Sequence, residues 1–321
     1  MVAGLCGLTL SSVGAPLKRS DIPADPTWVA HIDIDALKAT TIGEFITSQL
    51  DKPEVKDKLA AFTQISSLDV QKQLHGVSLY DTTMKEEDGV LIVYADLQPD
   101  NLVTLAKGMD EYEATEHKGH TIHSWLDKGH RFGGGRGNRR TFAAIQGSRL
   151  IFGQSQAAVA AALDVIDGGP SLATSKNFAG LGTRGKSTFI QAVASKLPMN
   201  GNNPGAEMLK MTKSFQLEIA EMDAKLIAAF ALTANDEDSA SNISQMAQGL
   251  LAMAKMQKDN QDAAKFVDAL AVKQEGNVVT ASIKISSADI IEMAKNADKH
   301  QGERRRKDKD TQSKDSAPKE N

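Results

Sequence analysis

The sequence predicts an α+β fold: two similar halves of antiparallel sheet, built from strand–strand–helix units, with helices packed on one face. Three observations predict it. Short β-rich runs come in pairs separated by turn residues, so hairpins outnumber crossover connections. Each pair is followed by an Ala- or Leu-rich run that opens on a capping residue. The order of elements recurs in the second part of the chain.

The leading strand, residues 28–34, alternates with period two. Trp28, Ala30, Ile32 and Ile34 share one face, expected to be the core, while Val29, His31, Asp33 and Asp35 share a polar face. A helix is expected over 37–50. The first unit pairs runs 77–80 and 90–97 across the polar stretch 81–88, and Pro99 and Asp100 open a helix over 101–109. The second pairs 141–145 with 150–152 around Gly147-Ser148, and Ser155 caps an Ala-rich helix that stops near Gly168-Gly169. The third pairs 215–219 with 226–232, before a helix to about Lys255. The fourth pairs 269–273 with 278–285 around Glu275-Gly276-Asn277, and Ser287 caps a last helix.

Residues 90–108 and 278–296 align without gaps at an offset of 188, sharing apolar positions such as Val90/Val278 and Leu97/Ile285 and the Ala-Lys pairs 106–107 and 294–295. A second leading strand is expected at 188–194. These features predict an internal duplication: a domain at 25–169, a linker at 170–185, a domain at 186–299 and a disordered charged tail at 300–321.

Composition narrows function by exclusion. The chain has 321 residues, 41% hydrophobic and 24% charged, which excludes collagen-like and wholly disordered classes. The single Cys6 excludes an intrachain disulfide framework and a Cys-only zinc cluster. A net charge of −4 argues against a specific nucleic-acid binder. The tail holds seven Lys or Arg against five Asp or Glu, so the first 299 residues are two units more negative than the whole. Its cluster Arg304–Lys307 could touch a polyanion; a solubilising tail is the plainer reading.

Five constellations bear on chemistry. Gly180 to Ser187, with Gly185-Lys186-Ser187, fits the spacing of a phosphate-binding loop. That chemistry needs a buried strand before and a helix after, whereas 171–179 is polar and 188–193 looks like a strand. A nucleotide-binding hydrolase therefore stands third among the readings. His117, His120, His123 and His130 fall within fourteen residues and, on a single strand, His117 and His123 would share a face opposite His120. A metal-binding or small-ligand module using the His/Gly/Arg-rich region 117–140 is the main alternative; Phe132–Arg140 adds a mobile loop with anion-gripping arginines. The pair Asp33/Asp35 is read as a solvated strand end. Met246, Leu250, Leu251, Met253 and Met256 are read as core packing by a chain poor in aromatics. No catalytic, cofactor-binding or metal-ligating residue is assigned from these patterns, and no cofactor.

The N-terminus carries a short apolar run at 2–10, followed by Val13-Gly14-Ala15, small residues of the kind that precede signal-peptide cleavage. No basic residue precedes the run, which fits a leader shortened at its start. Export to the periplasm or cell envelope is the expectation, a cytoplasmic protein the alternative. No transmembrane helix is expected.

The stretch Pro23-Ala24-Asp25-Pro26-Thr27-Trp28-Val29-Ala30-His31-Ile32-Asp33, continued by Leu37-Lys38-Ala39-Thr40-Thr41-Ile42-Gly43, resembles the start of uncharacterised bacterial exported proteins. The resemblance covers about 23–170, with a less regular second copy. It implies an exported, non-enzymatic domain of unknown role and transfers no catalytic residue. The expected function is a non-catalytic structural or interaction protein of the envelope, with a protein partner or self-association.

Overall fold

The computed structural model describes residues 14–127, 139–182, 187–195, 210–256 and 261–297. They form one antiparallel sheet of twelve strands, so the two halves share a sheet. The strands are β1 Trp28–Asp33, β2 Leu74–Asp81, β3 Val90–Ala95, β4 Glu113–His117, β5 His120–Asp127, β6 Arg139–Gln146, β7 Arg149–Gly153, β8 Thr188–Ala194, β9 Thr212–Met222, β10 Lys225–Ala234, β11 Leu270–Glu275 and β12 Val278–Ser286. Their spatial order is β11-β12-β10-β9-β8-β1-β2-β3-β7-β6-β5-β4. The helices are α1 Ile34–Lys38, α2 Thr41–Leu50, α3 Pro53–Ser66, α4 Pro99–Lys107, α5 Gln156–Ile166, α6 Glu237–Met256, α7 Gln261–Ala269 and α8 at residues 287–297.

Each strand–strand–helix unit is present. The helix expected at 37–50 is divided, because the Thr40 hydroxyl accepts from Gly43 N–H and starts α2 as a separate helix. The hairpins β6–β7 and β11–β12 both turn through a left-handed glycine, Gly147 (φ 60°) and Gly276 (φ 56°), a conformation that a Cβ would strain.

The orders β1-β2-β3-β7-β6 and β8-β9-β10-β12-β11 are the same order twice, meeting where β1 pairs with β8. The first half adds the hairpin β4–β5 at its outer edge. This topology sets β3–α4 against β10–α6, and β7–α5 against β12–α8. The gapless alignment at offset 188 instead matched β3–α4 with β12–α8, elements in different places. The shared amphipathic pattern of any strand followed by a helix produced it. The stretch expected as a linker is, up to Gly182, packed into the fold: Leu172 and Leu181 are buried, and Pro23 bridges to Ser171.

The sheet has two unlike faces. Register places Val29, His31, Tyr80, Ile92, Tyr94 and Ile151 on one, called face B, and Ala30, Ile32, Leu79, Leu91, Leu217 and Phe230 on the other, face A. The larger core lies on face B of the first half, where α5 contributes Val159, Ala162 and Leu163 and the N-terminal segment contributes Leu17 and Ile22. The smaller core lies on face A of the second half, where Ala240 and Ile243 of α6 meet Leu232 and Val279.

Candidate functional site

The leading strand buries the face that its pattern marks as polar. Val29, His31 and Asp33 are buried; Trp28 and Ala30 are half-buried and Ile32 is 36% exposed. The cause is the segment from Gly14 to Ile22, which crosses face B as a strap. Ala15 N–H donates to Asp33 Oδ1 (2.9 Å), which also accepts from Ala36 N–H (2.8 Å). His31 Nε2 lies 2.9 Å from the Ala15 carbonyl and Nδ1 lies 2.9 Å from Ser78 Oγ. A carbonyl only accepts, so Nε2 carries the proton and Nδ1 accepts the serine hydroxyl. Burial holds the His31 pKa below its ordinary value. Polar groups with fixed partners can be buried at small net cost, and here the strap supplies the partners.

Further along the strap, Asp21 is buried and bound by Arg149 through Nε (2.6 Å) and Nη2 (3.1 Å), with the Tyr94 hydroxyl donating at 3.2 Å. The hydrogen bond to Asp21 raises the Arg149 pKa, and burial raises those of Tyr80 and Tyr94. Arg19 donates to the carbonyls of Leu172, Phe178 and Leu181 at 2.8–2.9 Å and so ties the strap to the segment before β8. The sequence read Asp33 as solvated and passed over Asp21 and Arg149; two charges 128 residues apart leave no local pattern. This network contains a serine next to a histidine, yet Ser78 is fully buried and both His31 nitrogens are engaged. It holds the strap in place and presents no accessible nucleophile.

The histidine cluster divides. Lys118-Gly119 is a turn, so His117 and His120 face each other across β4–β5 on the same side, and His123 lies on the other. This corrects the single-strand expectation; a reversal after His117 changes the parity. His117 Nε2 pairs with Asp164 Oδ1 (2.9 Å) and His120 Nε2 with Asp167 Oδ2 (2.7 Å), both at the end of α5. Hydrogen bonds hold both carboxyls below the usual range, from Lys118 and His117 on Asp164 and from His120 on Asp167. His123 Nδ1 meets the Tyr112 hydroxyl at 2.8 Å, and burial together with the Lys107 charge lowers its pKa. Among the described residues no group of three or more His, Cys, Asp or Glu side chains is placed to hold a metal. These histidines fasten the β4–β5 hairpin. His130 and residues 132–138 lie outside the described residues, while Arg140 pairs with Glu111 (3.2 Å).

The phosphate-loop match also fails by context. Ser187 leads directly into β8, a strand where a helix N-terminus would be required, and Gly182 N–H donates to Gln191 Oε1 (2.7 Å). Lys186 lies outside the described residues. The Met-rich helix face is a correction of another kind. Ile243 is buried, but Leu250, Met253 and Met256 are 56%, 68% and 82% exposed.

The feature that sequence reading missed is on face A. Register links Phe230, Leu217, Ala192, Ala30, Leu79 and Leu91 side by side across six strands, and Phe152 and Ala143 continue the row to β6. One step along the strands, Ala228, Ile219, Ile190, Ile32, Val77 and Val93 form a second row that runs on to Leu150 and Ile145. Eight strands at the usual spacing make each row about 34 Å long, and the rows lie about 7 Å apart. Both are wholly apolar. α4 covers the β5 end, where its Lys107 stands near His123, and α6 and α7 cover the other end. There a cavity of about 270 Å³ lies between α7 and the sheet, lined by Leu217, Phe230, Phe266, Val267 and Ile283 among other apolar residues. Between these covers Ile32 and Leu79 are 36% and 39% exposed. The signal was present in the sequence as alternation; which face would be covered was not.

Among the described residues no helix is long and apolar enough to cross a membrane. No known family model matches the sequence, and no curated protein is significantly similar to it. Among solved structures, crystal form III of TP0453 is similar with a TM-score of 0.47 at 10% identity, over 87% of this chain and 96% of that one. Crystal form I of TP0453 gives 0.45 at 10% identity, over the same shares of the two chains.

Proposed function

We propose that this is a non-catalytic interaction protein, exported to the periplasm or cell envelope, whose contact surface is the uncovered middle of face A. One observation carries the reading: the two apolar rows stay open to solvent at Ile32 and Leu79, while His31 and Asp33 of the same strand are buried. Contiguous apolar surface left open in this way marks a site of contact with another molecule. The readings that need catalysis find no support in the described side chains, since the buried Ser78–His31 pair is closed off and the phosphate-loop match precedes a strand. Export is supported by the apolar run at 2–10 and by a chain whose one cysteine, Cys6, lies within it.

The test is a site-specific photo-crosslinking residue at position 79, compared with one at Asp57 on α3, in cells that make the protein. The double variant Ile32→Ser/Leu79→Ser is tested in parallel for binding of an apolar fluorescent dye. The reading expects a discrete crosslinked species from position 79 alone, and dye binding that the double variant loses without loss of fold. The same crosslinks at both positions, with unchanged dye binding, would overturn it.

A further inference from the structure

We propose that the leader is cut between Gly14 and Ala15, and that the α-ammonium group created on Ala15 forms an ion pair with the buried carboxylate of Asp33. The proposal rests on the export reading and is independent of face A.

The fold holds Ala15 from several directions. Its N–H donates to Asp33 Oδ1 (2.9 Å), and its carbonyl accepts from His31 Nε2 (2.9 Å). Its side chain and carbonyl lie against Gly76 of β2, 3.4 Å from where a Cβ there would stand. Two residues on, Leu17 is buried in the larger core. Ala15 is therefore part of the fold. A cut after it would take a donor from Asp33 and the acceptor from His31, both buried, and leave those groups short of partners.

One bond earlier the requirements agree. Ser12-Val13-Gly14 places small residues three and one positions before the cut, as leader cleavage needs, whereas a cut after Val13 would set a branched residue beside the bond. The step is hydrolysis by the leader protease of the export route. The Gly14–Ala15 C–N bond breaks, water supplies the second oxygen of the Gly14 carboxylate, and both its protons end on the Ala15 nitrogen. That nitrogen already lies 2.9 Å from Asp33 Oδ1. Oδ1 is otherwise held by the Ala36 N–H, and no Lys or Arg among the described residues pairs with Asp33, whereas Asp21 has Arg149. The cut turns a neutral donor into a charged one, and charge-assisted bonds to carboxylates are the stronger kind. Gly14 borders Asp33 Oδ2, with 3.1 Å between that oxygen and the place of a Cβ, so its loss frees room there for the ammonium.

The experiment has two arms. In the first, the protein is purified from the envelope and from the cytoplasm of cells that make it, and its start is read by intact mass and N-terminal sequencing. The proposal expects a chain that begins at Ala15 in the envelope fraction. A different start there overturns the proposal and leaves export standing. A chain that keeps residues 1–14 and stays in the cytoplasm overturns both. In the second arm, urea unfolding at pH 7, where an α-amine is protonated, compares the uncut chain with the chain that begins at Ala15, each with and without Asp33→Asn. The proposal expects the cut to raise the folding constant several-fold and Asp33→Asn to erase that gain. Equal stability of the cut and uncut chains, or a gain that survives Asp33→Asn, overturns the ion pair. If Asp33→Asn prevents folding, acetylation of the Ala15 α-amine takes its place. It removes the charge, keeps an N–H and returns the chain to the stability of the uncut form; an acetylated chain as stable as the free one overturns the ion pair.

Discussion

The two halves have the same strand order and bury opposite faces of one sheet. In the first, α5 and the strap close face B; in the second, α6 closes face A. They meet at the pair His31↔Gln191, both buried on face B, each bonded to the segment that precedes its own strand. The difference teaches that an alternating strand leaves the choice of core open. The segment that arrives to cover a face decides, and a polar face is acceptable when that segment brings hydrogen-bond partners. In the first half the strap brings the Ala15 backbone and Asp21. The open apolar floor of face A is the consequence on the other side of the same strands.

The comparison breaks most readily at the strap, which has the charged contacts. Arg149→Ala leaves Asp21 buried without its guanidinium, and stability should fall by about 3–5 kcal/mol, read from urea unfolding. A loss below about 1 kcal/mol would mean that the strap is not held by this pair. Truncations in the two cores come next. Leu163→Ala on α5 and Ile243→Ala on α6 each remove a fully buried aliphatic side chain, and each should cost about 2–5 kcal/mol. The two cores share no residue, so the losses should add within about 0.5 kcal/mol. Strong coupling between them would show the halves to be less separate than their packing indicates.

A smaller effect sharpens the junction. Because burial lowers the pKa of folded His31, the unfolded chain takes up protons first on acidification. The stability that neutral His31 contributes is full above its ordinary pKa of 6.5 and is lost as pH falls from there towards the folded value. His31→Gln, which copies Gln191, should flatten the dependence of Tm on pH just below 6.5. His123, lowered in the same direction, keeps part of the slope. The depressed Asp164 and Asp167 act at lower pH, from their ordinary 3.8 downward. An unchanged profile in the glutamine variant would assign the acid sensitivity elsewhere.

Local pattern carried the strand–strand–helix units, because hairpin turns, caps and alternation are written within a few residues: Ser155 caps α5 by accepting from Ala158 N–H, and Gly276 turns β11 into β12. What pattern could not carry were relations between distant segments. Asp21 and Arg149, Arg19 and the carbonyls of Leu172, Phe178 and Leu181, and the side-by-side rows of face A depend on which strands become neighbours. The histidines show the intermediate case. Their types and spacing were plain, but one turn at Lys118-Gly119 changed which of them share a face, and α5 supplied carboxylates from 47 residues away. The signal for the covered face was the one most open to misreading. On β1 the apolar set Trp28, Ala30 and Ile32 is the better core by composition, yet the strap took the other side.

That misreading gives the smallest and most discriminating comparison, made within β1 itself. Val29→Thr keeps shape but places a hydroxyl at a fully buried position of face B, and should cost about 1–3 kcal/mol. Ile32→Thr sits three residues away on face A, where water reaches the new hydroxyl, and should cost under about 1 kcal/mol. Equal losses would mean that face A is covered in solution by something that the described residues do not include. A partner or a second copy lying on the floor would have that effect, and dilution would then separate the two variants again. The order of the two losses therefore reads both which face of β1 is core and whether the apolar floor stands open.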